Sequence, residues 1–211
     1  MMRSDREYRD MMLAVVEDDT EKKVTGYATT FNEPYAIWDD GEVRILEEVA
    51  PEAFDEADTR DVIFQYNHEG RVMARVSNGT LSVTPDDHGL LVSADLSGTE
   101  LGRQLYDEIR GGYTNKMSFG FTVAAEEQIR HEETGTKPIE VTRRITRIGK
   151  VYDVSAVAVP ANPGTEISAR TKNFCDGVIA EIAEECRVRQ AAEHKEKQRD
   201  ELSRLLEEVL K

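Results

Sequence analysis

The sequence predicts a mainly β domain with helices, an α+β fold built as an antiparallel, barrel-like sheet and followed by a C-terminal helical tail. Three observations predict it. Short apolar runs with period-two alternation recur from Met11 to Leu96, separated by clusters of turn residues. In Tyr113 to Val123, Met117, Phe119, Phe121 and Val123 point one way and Lys116, Ser118, Gly120 and Thr122 the other, as in a strand with one packed face. From about Asn173 the apolar spacing becomes that of a helix.

A chain of 211 residues has room for one sizeable domain and an appendage, read here as a β domain over 1–171 and a helical arm over 172–211. The balance of 42 acidic to 27 basic residues, net charge -15, opposes an unassisted grip on phosphate backbones or anionic lipid. Neither nucleic acid nor a membrane is expected as a partner. No apolar run approaches the roughly 18 residues of a membrane span, and MMRSDREYRDMM lacks the apolar core of a signal peptide. A soluble, intracellular protein is expected. Cys175 and Cys186 fall on one helical face about 16 Å apart along the axis, too far to pair. Two cysteines and four scattered histidines give no zinc-type spacing, so neither metal nor cofactor is expected.

In order, the strand signals are Met12 to Val16, Val24 to Phe31, Val43 to Val49, Val62 to Tyr66, Arg71 to Val76, Thr80 to Val83 and Leu90 to Leu96. Asn78-Gly79 is the strongest hairpin signal, and Pro51 to Ala57 reads as a short helical turn. Ser97-Gly-Thr-Glu100 fits a capping box for a helix that buries Leu101, Leu105 and Ile109 and ends at Gly111. Glu126 to Glu140 is polar and reads as a surface excursion. Strands resume over Ile139 to Ile148 and Val151 to Val159, and Pro160-Ala-Asn-Pro163 closes the body. In the tail, Phe174, Val178, Ile182 and Cys186 form one apolar stripe and Leu202, Leu205, Leu206, Val209 and Leu210 another. Between them lies a charged stretch, the pattern of an interaction arm, with Thr171-Lys172-Asn173 as an exposed hinge.

Ser118 projects from the non-apolar face of its strand, and Gly120 beside it has no side chain to block an approaching group. A serine does chemistry only with a base and a group that orients the base. His68, at the end of the Val62 to Asn67 run, is the base candidate, ahead of His88, His131 and His194, none of which follows a strong strand. Asp153 is the lone carboxylate in the apolar run VYDVSAVAV, and its burial demands a partner. That partner is either His68 or one of Arg143, Arg144 and Arg147 on the neighbouring strand. A Ser-Lys arrangement through Lys116, which shares the face of Ser118, is the rival to a triad.

Asn67-His68, the Lys116 to Phe121 stretch and Tyr152 to Pro163, in that order and preceded by Gly26 to Phe31, resemble the prohead maturation proteases of tailed phages. The resemblance runs from about Val24 through Pro163 and includes Gly89-Leu90 and Arg110-Gly111. It implies a fold similar to the herpesvirus maturation proteases, with Ser118 as nucleophile, His68 as base and Asp153 as orienter, at a position where the family pattern more often has Glu. The implied protein is a serine endopeptidase acting inside the immature head, in the host cytoplasm, on capsid and scaffold proteins and on itself. The turn at Ala161 and Asn162, just after the Asp153 strand, is the candidate, from chain position, to supply one backbone N–H donor to the oxyanion. The rival reading is a non-enzymatic capsid assembly or scaffold-like protein built on the same β body.

Overall fold

The computed structural model describes residues 6–15, 22–131, 138–158 and 169–209. The chain divides into two compact units, Met1–Thr171 and Lys172–Lys211. In the first, the strands are β1 (Glu7–Val15), β2 (Lys23–Thr30), β3 (Tyr35–Asp39), β4 (Val43–Val49), β5 (Ile63–Tyr66), β6 (Glu69–Arg75), β7 (Leu81–Pro85), β8 (Gly89–Asp95), β9 (Lys116–Arg130) and β10 (Ile139–Val157). Helix α1 spans Glu100–Arg110, and 3-10 turns cover Pro51–Phe54 and Val76–Asn78. Helix α2, Ala169–Val209, runs from the end of the first unit through the second as one 41-residue helix.

The sheet order is β3-β4-β10-β9-β1-β2-β8-β7, with β5 also on β10 and β6 on β5. This corrects the barrel-like, wholly antiparallel expectation: among the described residues the sheet is open and mixed. The reason is the length of β10. Its 19 residues form one continuous strand where the sequence suggests two, and pair antiparallel with β9 along one edge. The other edge takes β4 in parallel over Ile139–Ile145 and then β5 in parallel over Asp153–Ala156. The chain between β4 and β5 advances along that edge without reversing.

The apolar face of β9 is packed as expected: Met117, Phe119 and Phe121 are fully buried. They join Phe64, Leu90, Leu96, Val154 and, from α1, Leu105, Tyr106 and Ile109 in one core. Helix α1 is capped by Thr99, whose Oγ1 accepts from the Gly102 N–H at 2.9 Å, so Ser97 is not its cap. The buried face also differs from the expected one: Leu101 is exposed, while Gly102 and Tyr106 face inward beside Leu105 and Ile109. The left-handed residue at its end is Gly112 (φ 77°), one beyond the expected stop.

Three further expectations change. Asn78-Gly79 forms no hairpin; it ends a 3-10 turn, and β6 pairs with β5 while β7 pairs with β8. Much of the polar stretch after Glu126 is strand, because backbone pairing with β10 continues to Arg130. Thr171 is no exposed hinge: it is helical and 1% exposed. Its hydroxyl donates to Glu7 Oε2 at 2.9 Å.

Glu7 belongs to a charged cluster with no signature in the sequence. Arg143, fully buried, donates from Nη1 to Glu7 Oε2 and Glu47 Oε2, both at 2.7 Å, and from Nε to Glu126 Oε2 at 2.8 Å. Arg9 adds donors to Glu47 and Glu7, and Tyr35 donates to Glu47. Three carboxylates and two guanidiniums thus satisfy one another, with Glu7, Glu47 and Arg143 fully buried and Glu126 partly exposed, and pairing is the condition under which buried charge is tolerated. The cluster fixes β1 against β4, β9 and β10.

Candidate active site

Pleating places residues that face each other across antiparallel strands on the same side of the sheet. Ser118 on β9 is opposite Ser155 on β10, and Gly120 is opposite Asp153. Phe119 is opposite Val154, on the core side. Asp153 reaches the Ser118 side because of an irregularity in the ladder. Val151 pairs with Phe121 on the core side, and the register then shifts by one before Asp153. In an unbroken strand Val151 and Asp153 would share a face; the bulge at Tyr152 separates them and re-aims the carboxylate.

His68 arrives from the other edge of β10. Tyr66 pairs with Glu69, so Asn67 and His68 form a two-residue hairpin loop joining β5 to β6. Both have positive φ, 49° and 59°, the requirement of a type I′ turn. The tight hairpin of this region is therefore at Asn67-His68, where Asn supplies one of the few side chains that tolerate the conformation. The turn is tied to β10: Asn67 N–H donates to Ala156 O at 2.9 Å, and His68 N–H donates to Ser155 Oγ at 3.1 Å.

These constraints bring the His68 ring onto Asp153, with Nδ1 hydrogen-bonded to Oδ2. The carboxylate side chain is 5% exposed. Asp153 has two more partners. Ser155 Oγ donates to Oδ2 at 3.2 Å, and Arg6 Nη1 lies 3.9 Å from Oδ1 with its guanidinium 3.6 Å above the Tyr152 ring. The arginines expected as rivals are engaged elsewhere: Arg143 in its buried cluster, Arg144 with Glu48 and Arg147 with Glu56.

Ser118 is on the same side of the sheet but is 1% exposed, so the open face expected beside Gly120 is covered. Its hydroxyl makes no hydrogen bond among the described residues. A buried hydroxyl without a partner forgoes about 1–3 kcal/mol of solvation. Ala161 and Asn162 lie outside the described residues. Among the described residues no group of three or more His, Cys, Asp or Glu side chains is placed to hold a metal ion.

Two neighbours of this site escaped the sequence reading. Ser155 was legible in principle, because i and i+2 on a strand share a face and Ser155 is two residues from Asp153. Nothing local marks Arg6, which meets Asp153 only because β1 runs beside β9.

A family model described as caudovirus prohead serine protease matches residues 10–176, a span that holds Ser118, His68 and Asp153. No curated protein and no solved structure matches the chain. The likeness of fold to the herpesvirus proteases therefore rests on the sequence resemblance alone. The family match extends over most of the chain, and the chain belongs to the caudovirus prohead serine protease family.

Proposed function

We propose that this chain is the endopeptidase of an immature phage head, cleaving capsid and scaffold proteins and itself, with Ser118 as nucleophile, His68 as base and Asp153 as orienter. The observation that carries it is the His68 Nδ1 to Asp153 Oδ2 contact on the side of the sheet that also holds the unpartnered Ser118 hydroxyl. Asp153 holds the proton on Nδ1, which leaves Nε2 as the basic nitrogen. In the first step Ser118 Oγ adds to the scissile carbonyl carbon and its proton passes to Nε2. That proton then goes to the leaving amine, and water repeats the sequence on the acyl-enzyme. Because Ser118 makes no hydrogen bond among the described residues, the Ser118 to His68 link has to form as substrate enters, as active-site hydrogen bonds commonly do. The tail, 172–211, acts as the arm that engages the prohead or a second copy of the chain.

The test is covalent labelling by a fluorophosphonate, in which Ser118 Oγ displaces fluoride from phosphorus, with the modified residue located by mass spectrometry. Wild-type protein is expected to be labelled at Ser118, and Ser118→Ala to lose labelling and peptide cleavage by about a thousandfold or more. The fold should persist, because the hydroxyl removed has no partner to lose. The covered state of Ser118 favours the rival reading of a non-enzymatic assembly protein. Absence of labelling in folded protein, alone and with capsid protein present, would establish that rival.

A further inference from the structure

The hydroxyl of Ser155 touches both halves of the His68–Asp153 pair by different bonds. It donates to Asp153 Oδ2 at 3.2 Å and accepts the backbone N–H of His68 at 3.1 Å. Ser155 is fully buried and stands opposite Ser118 in the β9–β10 ladder. We propose that Ser155 is a positioning residue of the reaction, a proposal that rests on the peptidase reading above.

Three physical points support the role. His68 holds φ 59°, a conformation uncommon for residues other than glycine, and an outside acceptor for its N–H helps keep the turn there. Asp153 Oδ2 receives the Ser155 proton as well as His68 Nδ1, and two donors on one oxygen fix the plane of the carboxylate and hence of the imidazole. One hydroxyl makes both bonds, so the backbone of the base and the carboxylate of the orienter cannot shift independently. Alanine at 155 would cut both connections and leave the residues of the pair in place.

The experiment uses the full-length protein and two readouts. The first is the fluorophosphonate labelling rate at Ser118 in wild type, Ser155→Ala and Ser155→Thr. Ser155→Ala is expected to slow labelling about tenfold to a hundredfold, the scale of a catalytic group displaced by a fraction of an ångström. Ser155→Thr, which keeps the hydroxyl, is expected to recover most of the rate. The second is the His68 Nδ1–H proton resonance, which needs no turnover: far downfield in wild type, shifted in Ser155→Ala and restored in Ser155→Thr. A Ser155→Ala protein labelled at the wild-type rate, with this resonance unmoved, overturns the proposal even if its melting temperature falls. Should Ser155→Ala fail to fold, Ser155→Cys makes the same comparison with a weaker donor of similar size. If wild-type Ser118 is never labelled, the peptidase reading fails and the reaction role of Ser155 falls with it, and the resonance then reports only whether Ser155 holds the His68–Asp153 pair. Labelling at Ser155 itself would overturn both.

Discussion

His68 Nδ1 bonds Asp153 Oδ2 although the two residues are 85 positions apart in the chain. The contact depends on two local departures from regular strand, the left-handed turn that carries His68 and the bulge that turns Asp153 away from the core. If Asp153 orients the base, Asp153→Asn presents an amide that can donate where the carboxylate only accepts, and the wrong imidazole tautomer becomes available. Labelling and turnover should fall by about a hundredfold, less than for loss of Ser118. Activity of the wild type should also decline as acid protonates the base, because an imidazolium cannot accept the Ser118 proton. A folded Asp153→Asn protein of unchanged rate would make the pair structural.

The turn itself predicts a contrast at Asn67, whose φ is 49°. Asn67→Gly accepts that conformation freely, and among the described residues it gives up the Ala158 N–H to Oδ1 bond of 3.3 Å. Stability should stay within about 1 kcal/mol of wild type, with labelling of Ser118 retained. Asn67→Val forces a β-branched residue into left-handed backbone and should cost about 1–3 kcal/mol while slowing labelling, because the base moves with the turn. Denaturant midpoints and labelling rates together check this: equal behaviour of the two variants would mean that the turn does not position His68.

Much of the site was legible in the sequence because each residue occupied a revealing local pattern. Ser118 interrupted nothing in a period-two strand, and Asp153 was the one charge in an apolar run. What could not be read was how strands far apart in sequence meet. The apolar run around Asp153 does not tell which side of the sheet the carboxylate takes, since a one-residue bulge leaves no mark in such a stretch. The Asn78-Gly79 signal was outweighed by tertiary pairing, whereas Asn67-His68, with no glycine, made the hairpin. Among the described residues β1 begins at Glu7, and the charged cluster it enters joins residues up to 164 positions apart, so no window of sequence contains it.

The tail bears on partners. Helix α2 extends to Val209 and would be about 60 Å long at 1.5 Å per residue. Its polar middle, Arg187 to Asp200, is exposed at every residue. Truncation after Thr171 should leave fluorophosphonate labelling near the wild-type rate while impairing self-association or recruitment to capsid protein. Light scattering and labelling of the same sample test this. A truncated protein that is unfolded or unlabelled would assign the tail to the folded core and end the arm interpretation.

Acid stability follows from Glu7. Burial alone would push its carboxyl up, but the Arg143 hydrogen bond, the charges of Arg9 and Arg143 and the Thr171 hydroxyl outweigh burial and hold it at about 2, against an ordinary value of 4.5. A carboxyl depressed in the folded state stabilises fully above its unfolded value and loses that contribution as pH falls through its folded value. The window is therefore pH 4.5 down to about 2. Glu7→Gln should be less stable than wild type above this window, and the two should converge within it as wild-type Glu7 takes up its proton. Arg143→Leu removes the guanidinium shared by Glu7, Glu47 and Glu126, leaves Glu7 and Glu47 to Arg9, and should cost about 3–5 kcal/mol at neutral pH. That deficit too should shrink in acid, because protonation of Glu7 removes a charge that Arg143 no longer neutralises. Unfolding free energies measured by denaturant at a series of pH values give both curves, and a gap from wild type that stays constant down to pH 2 in either variant would show that the cluster is not held by the charge of Glu7.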